Sequence, residues 1–146
     1  MSNTKPVLTW YVKDTEDSYT SVDSWYAGSC IPNQDFILEI QIWNNRWNTL
    51  NDVENITNAK LILSFENAED SVLFQLCEVK INDGSYEKPA ISSINKAVVT
   101  LGTIYGTKNA GTDSDTDNHK DISIKFSNVP SNFSEGLKSL FIDIDY

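Results

Sequence analysis

The sequence predicts an all-β fold, an antiparallel β-sandwich of about seven or eight short strands. Three observations lead there. Apolar residues alternate with polar ones in run after run, and turns rich in Asn, Asp and Gly separate the runs. Nowhere does an apolar period of 3.6 persist over ten residues.

The clearest strand is Phe36-Ile37-Leu38-Glu39-Ile40-Gln41-Ile42-Trp43, ending at Asn44-Asn45. Phe36, Leu38, Ile40 and Ile42 share one face and belong to a core, because strand side chains alternate with period two. Ile37, Glu39, Gln41 and Trp43 share the other face, which is mixed and therefore only partly wet. If Ile37 and Trp43 are covered by the domain's own loops, the stretch is scaffold; if they are exposed, that face is a place for a partner.

In chain order, Val7 to Val12 is a short β-rich run after Pro6, and the polar Lys13 to Ser24 segment reads as a loop. Trp25-Tyr26-Ala27-Gly28 brings the chain back, and Ile31 to Asp35 is a turn. The Asn-rich and Asp-rich stretch to Asn58 is a connection. Ala59, Leu61, Leu63 and Phe65 mark a second clean strand on the same core. Val72 to Ile81 changes phase near Cys77, as one bulge residue or two interrupted strands would require. Asn82-Asp83-Gly84-Ser85 is a turn, Ala97 to Ile104 a strand, and Tyr105 to His119 a long polar loop. Ile122, Ile124 and Phe126 alternate in a half-exposed strand, and Ser131 to Ser139 reads as one helical turn. Ile142, Ile144 and Tyr146 face inward from the closing strand. No repeat or linker marks a second domain, so residues 1–146 are expected to form one.

At 146 residues the chain is long enough to bury a core without disulfides or metal. Twenty-one acidic against eleven basic residues give a net charge of −10, which repels phosphate backbones and anionic headgroups. Nucleic acid and membrane are therefore not expected partners. Met1 to Pro6 lacks the apolar stretch of an export signal, and no apolar run approaches the roughly 18 residues of a span. Cys30 and Cys77 lack metal-site spacing and are expected to be reduced.

Candidate chemistry is sparse. His119, the single histidine, has no serine or cysteine motif beside it. Asp113-Ser114-Asp115-Thr116-Asp117-Asn118 places carboxylates at alternate positions, as a calcium loop does, but Asn118 stands where the EF-hand has glycine and Ile124 where it has glutamate. A solvated loop without metal or other cofactor is the expectation. Trp43, Trp47, Trp25 and Tyr26 are the candidate contact residues for a protein partner or a glycan, since flat aromatics both dominate interfaces and stack on sugar rings. Trp47, inside a polar loop, is expected to be the most exposed.

The run FILEIQIWNNRWNTLNDVENITNAKLILSFEN, Phe36 to Asn67, resembles the central part of immunoglobulin-like domains: a strand, an Asn-Asn turn, then an approach to the next strand. With the closing strand, it resembles small accessory structural proteins of tailed bacteriophages that infect Gram-positive bacteria. That resemblance implies a non-enzymatic virion component, assembled in the host cytoplasm, that decorates the capsid or attaches to the tail. Its partners would be capsid or tail subunits, or further copies of itself. The other reading the aromatics allow is a carbohydrate-binding module for host cell-surface glycans.

Overall fold

Alternation commits each strand to one apolar face, and two such faces have to meet before either can leave water. The computed structural model describes residues 5–13, 19–22, 33–65, 73–93, 96–128 and 140–145. They form nine strands: β1 (Leu8–Lys13), β2 (Tyr19–Val22), β3 (Phe36–Asn44), β4 (Ile56–Phe65), β5 (Cys77–Ile81), β6 (Ala90–Ser93), β7 (Lys96–Ile104), β8 (His119–Phe126) and β9 (Leu140–Asp145). One sheet has the order β2-β1-β3-β8-β5 and the other β6-β7-β4-β9, with every neighbouring pair antiparallel.

The inward faces make one apolar cluster. Leu38, Ile40 and Ile42 of β3, Val79 of β5, and Ile122, Ile124 and Phe126 of β8 supply it from the first sheet. Ala59, Leu61, Leu63 and Phe65 of β4, Ala97 and Leu101 of β7, and Ile144 of β9 supply it from the second. Each large side chain removed from water there contributes about 1.5–3 kcal/mol before ordering costs. Asp143 and Asp145 lie exposed on β9 beside buried Ile144, the alternation its sequence shows.

Where the structure departs from the sequence reading, the reasons are local. Lys13 to Ser24 is not wholly loop: β1 runs through Lys13, and Tyr19–Val22 pairs with it as an edge strand. The phase change near Cys77 is no bulge. Residues 73–76 form a 3-10 turn, which lets consecutive Leu73 and Phe74 both point inward before β5 begins. A register shift does occur in β4, between Ile56 and Lys60 against β7, so buried Ile56 and buried Ala59 lie on opposite sequence parities. Gly102, opposite Ala59, takes φ +79 there.

The Asp83-Gly84 turn folds the chain back so that Glu87 exchanges two backbone hydrogen bonds with Val79, 2.8 and 2.9 Å, before the chain crosses to β6 in the other sheet. The anticipated helical turn at 131–139, the inward-facing Tyr146, and Trp25, Tyr26 and Cys30 lie outside the described residues.

The second face of β3 is neither wholly covered nor wholly open. Ile37 is 53 % exposed, whereas Gln41 is buried and Trp43 is at 0 %. Replacing Ile124 by alanine should lower the unfolding free energy by about 2–5 kcal/mol, whereas Ile37→Ala should stay within about 0.5 kcal/mol of wild type. Urea unfolding followed by circular dichroism separates the two.

Candidate functional site

Trp43 is dry because of what antiparallel register places beside it. His119 of β8 stands directly opposite Trp43, and Asp121 opposite Gln41. On the other side of β3, Thr9 and Tyr11 of β1 face Trp43 and Gln41. Directly opposed side chains on one face are close enough to touch. The Trp43 and His119 rings accordingly stack at 4.2 Å with an interplanar angle of 19°.

A hydrogen-bond chain runs along the same face. Trp43 Nε1 donates to Gln41 Oε1 at 2.9 Å, and Gln41 Nε2 donates to Asp121 Oδ1 at 2.7 Å and to Asp113 Oδ1 at 3.3 Å. His119 Nδ1 lies 3.0 Å from the Asp115 carbonyl, and its Nε2 lies 3.6 Å from Asp121 Oδ2.

Beyond Trp43, four buried asparagines organise the loops at this end of the sandwich. Asn44 Oδ1 accepts from the Val7 amide, while its Nδ2 donates to the carbonyls of Glu54 and Ile104. Asn45 turns the chain out of β3 at φ +62, and its Nδ2 donates to the carbonyls of Asn51 and Gly106, both at 2.9 Å. Asn109 donates to the carbonyls of Asn45 and Thr107 and accepts from the amides of Trp47 and Gly111. Asn118 donates to the carbonyls of Tyr105 and Thr107. Asparagine suits this work because its side-chain amide presents both donor and acceptor to loop backbone that no ladder satisfies.

Within this frame Arg46 lies among three rings. Its guanidinium carbon is 4.3, 4.5 and 4.1 Å from the ring centroids of Tyr11, Trp43 and Trp47, and its Nε donates to the Gly111 carbonyl at 3.1 Å. A cation over aromatic faces is attracted by their quadrupoles. Among the described residues, Arg46 Nη1 and Thr9 Oγ1 are the buried side-chain polar atoms without a hydrogen-bond partner.

Trp47 adopts φ +65, a region that costs a bulky residue energy. The Asn109 bond, the Arg46 contact and an edge-to-face contact with Tyr11 hold it there. Gly111, at φ +76, passes so close that a Cβ would overlap the indole.

Electrostatics follow from the geometry. Burial works against a charged His119, but the Asp121 carboxylate, the Asp115 carbonyl and nearby Asp113 outweigh it and raise its pKa above 6.5. His119 in turn lowers Asp121 below 3.8, against partial burial, with help from Gln41 and Lys13. Burial and the charge of Glu78 push the Cys77 thiol up to about 12.

Of the candidate residues, Trp43 has to be reassigned. It is fully buried, its N–H is bonded and its ring is held by His119 and Arg46, so it serves as scaffold and not as a contact. Trp47 is 60 % exposed, and Trp25 and Tyr26 lie outside the described residues. The Asp113–Asp117 carboxylates do not converge: Asp113 turns to Gln41, and Asp115 caps the Thr112 amide at 2.9 Å. No group of His, Cys, Asp or Glu able to hold a metal occurs among the described residues.

The sequence reading missed Gln41, Arg46, Asn109 and Asp121 as members of one site. The Asn-Asn turn was its visible signal. Comparison with protein-family models, curated proteins and solved structures finds no match.

Asn109→Ala should strand the amides of Trp47 and Gly111 at roughly 1–3 kcal/mol for each buried donor left unpaired. Chemical denaturation together with faster amide exchange at 45–48 would show it. In a Cys30→Ser background, Cys77 should resist thiol reagents at about pH 8 until the chain unfolds, because the thiolate is the reactive form.

Proposed function

We propose that this chain is a non-enzymatic accessory structural protein of a tailed-bacteriophage virion. In this reading an immunoglobulin-like sandwich attaches to capsid or tail subunits by the end bearing Trp47 and Leu50. The observation that carries it is a pair of apolar side chains held out on an ordered loop: Trp47 is 60 % and Leu50 81 % exposed. Loop 48–55 is tied to 105–109 by backbone bonds and by the side chains of Asp52 and Asn55, which accept from the Lys108 and Gly106 amides. Val7 and Tyr105, also exposed, belong to the same end through the Asn45–Val7 and Asn118–Tyr105 bonds. An apolar group whose loop is already ordered loses little entropy on binding, which suits a docking surface.

Two further features support the reading. The strand order from β4 to β8 follows the immunoglobulin B-to-F pattern, with β4-β7-β6 in one sheet and β5-β8 in the other. β3 and β9 occupy the flanking places in a different chain order. The histidine at this end is engaged within the fold: its ring is buried and both its nitrogens face protein oxygens. The resemblance of Phe36 to Asn67, together with the closing strand, to phage accessory proteins supplies the virion context, and fold alone would not.

The exposure of Trp47 also favours a second reading, a carbohydrate-binding module for host-surface glycans. Pelleting with purified particles of the encoding phage separates the two. Virion attachment predicts co-sedimentation that drops at least about tenfold in affinity, the scale of one interface anchor, with Leu50→Asp or Trp47→Ala and is unchanged by Ile91→Ser at a distant strand. Absence of co-sedimentation, with polysaccharide binding lost on Trp47→Ala, would replace the virion reading by the glycan one.

A further inference from the structure

We propose that His119 is a proton-operated latch: as an imidazolium it ties the 112–118 segment to the outer face of the β3–β8 pair, and losing the proton loosens that segment and the Trp47 loop packed on it. The hydrogen-bond directions along this face compel it. Trp43 Nε1 can only donate, so Gln41 must present its oxygen to Trp43 and its NH2 to Asp121 and Asp113. The chain of donors thus ends on carboxylates.

At the ring, the Asp115 carbonyl can only accept, so its bond to the ring at 3.0 Å requires a hydrogen on Nδ1. A neutral ring has one hydrogen for two acceptors: on Nδ1 it leaves the Nε2 lone pair against Asp121 Oδ2 at 3.6 Å, and drawn to Nε2 by that carboxylate it leaves the Nδ1 lone pair against the Asp115 carbonyl at 3.0 Å and the segment untied. The imidazolium, with a hydrogen on each nitrogen, keeps the Asp115 bond and makes the Asp121 contact an ion pair.

The charges around the ring favour the proton. Asp121 lies on its own strand, and Asp113 and Asp115 come from the preceding loop. On β3 the facing groups are uncharged Gln41 and Trp43, with Glu39 further along the strand and paired to Lys13 of β1 at 3.0 Å. Lys13 acts on Asp121, and Arg46 reaches the Trp43 ring. Asn82, from the turn after β5, bonds the Asp121 backbone and adds no charge.

What the latch holds is traceable. The Asp115 carbonyl fixes the 3-10 turn Thr116–Asn118, and Asp113 is fixed through Gln41. Further up the loop, Gly111 receives Arg46 and Asn109 receives the Trp47 amide. The pKa of His119 is raised in the folded chain, so the stability it contributes is complete below the unfolded value near 6.5 and lost as pH rises through the folded value.

The consequence for docking rests on the reading above, whereas the latch does not. Because the chain has one histidine, its imidazole signals in a nuclear magnetic resonance titration need no assignment by mutation. The expected midpoint lies above 6.5, with the amides of 112–118 and the Trp47 indole shifting at the same midpoint. Asp121→Asn should move that midpoint downward, given the charge it removes. His119→Phe, which keeps a ring against Trp43, should abolish the shift of the loop amides. A midpoint at or below 6.5, or loop amides indifferent to the titration in wild type, would overturn the latch. Particle pelleting on either side of the midpoint bears on docking alone: loss of binding at every pH sinks the docking reading while the resonance titration still decides the latch.

Discussion

The structure depends most on one requirement, that backbone amides and carbonyls leaving a sheet find partners. At the Asn44-Asn45 end of β3, side-chain amides meet it. Asn44, Asn45, Asn109 and Asn118 sit buried between loops and give them the donors and acceptors a ladder would have given. With the loops fixed in this way, Trp47 tolerates a left-handed backbone and Leu50 stands in solvent on an ordered support. Leucine there gains little burial from the fold itself.

A second constraint acts on the outer face of the larger sheet. Gln41, Trp43, His119 and Asp121 share it by register, and one donor-only group, the Trp43 indole, sets the sense of every hydrogen bond that follows. A single orientation of Gln41 satisfies both neighbours. Polar groups buried in this way specify one arrangement when all of them are paired, and they penalise any other. Arg46 adds to that specificity by filling the space among Tyr11, Trp43 and Trp47.

Much of the fold is legible in the sequence where one rule decides. The inward set Leu38, Ile40 and Ile42 and the set Ala59, Leu61, Leu63 and Phe65 follow from period two alone, and both form core. The rule fails where two geometries share a run. Leu73 and Phe74 read as half of a strand, although a tight turn buries both. Ala90–Ser93 and Tyr19–Val22 are short edge strands whose sequences do not alternate clearly, so pairing alone reveals them. The site was legible in its parts and not in its assembly. Trp47 stood out as an aromatic in a polar loop, but nothing local ties Gln41 to Asp121, or Asn45 to Asn109. Trp43 misled because the strand pattern gives a face without saying what covers it.

The nested topology also sets an order of events during synthesis. β3 is made early, yet its central neighbour, β8, comes from positions 119–126, and the loops that close over its far end come from 105–118. Until those residues leave the ribosome, this apolar strand has only β1 of its two neighbours. Contacts so distant in sequence form slowly. The nascent chain therefore carries an open strand edge for much of its translation, and a net charge of −10 sets two such chains repelling each other.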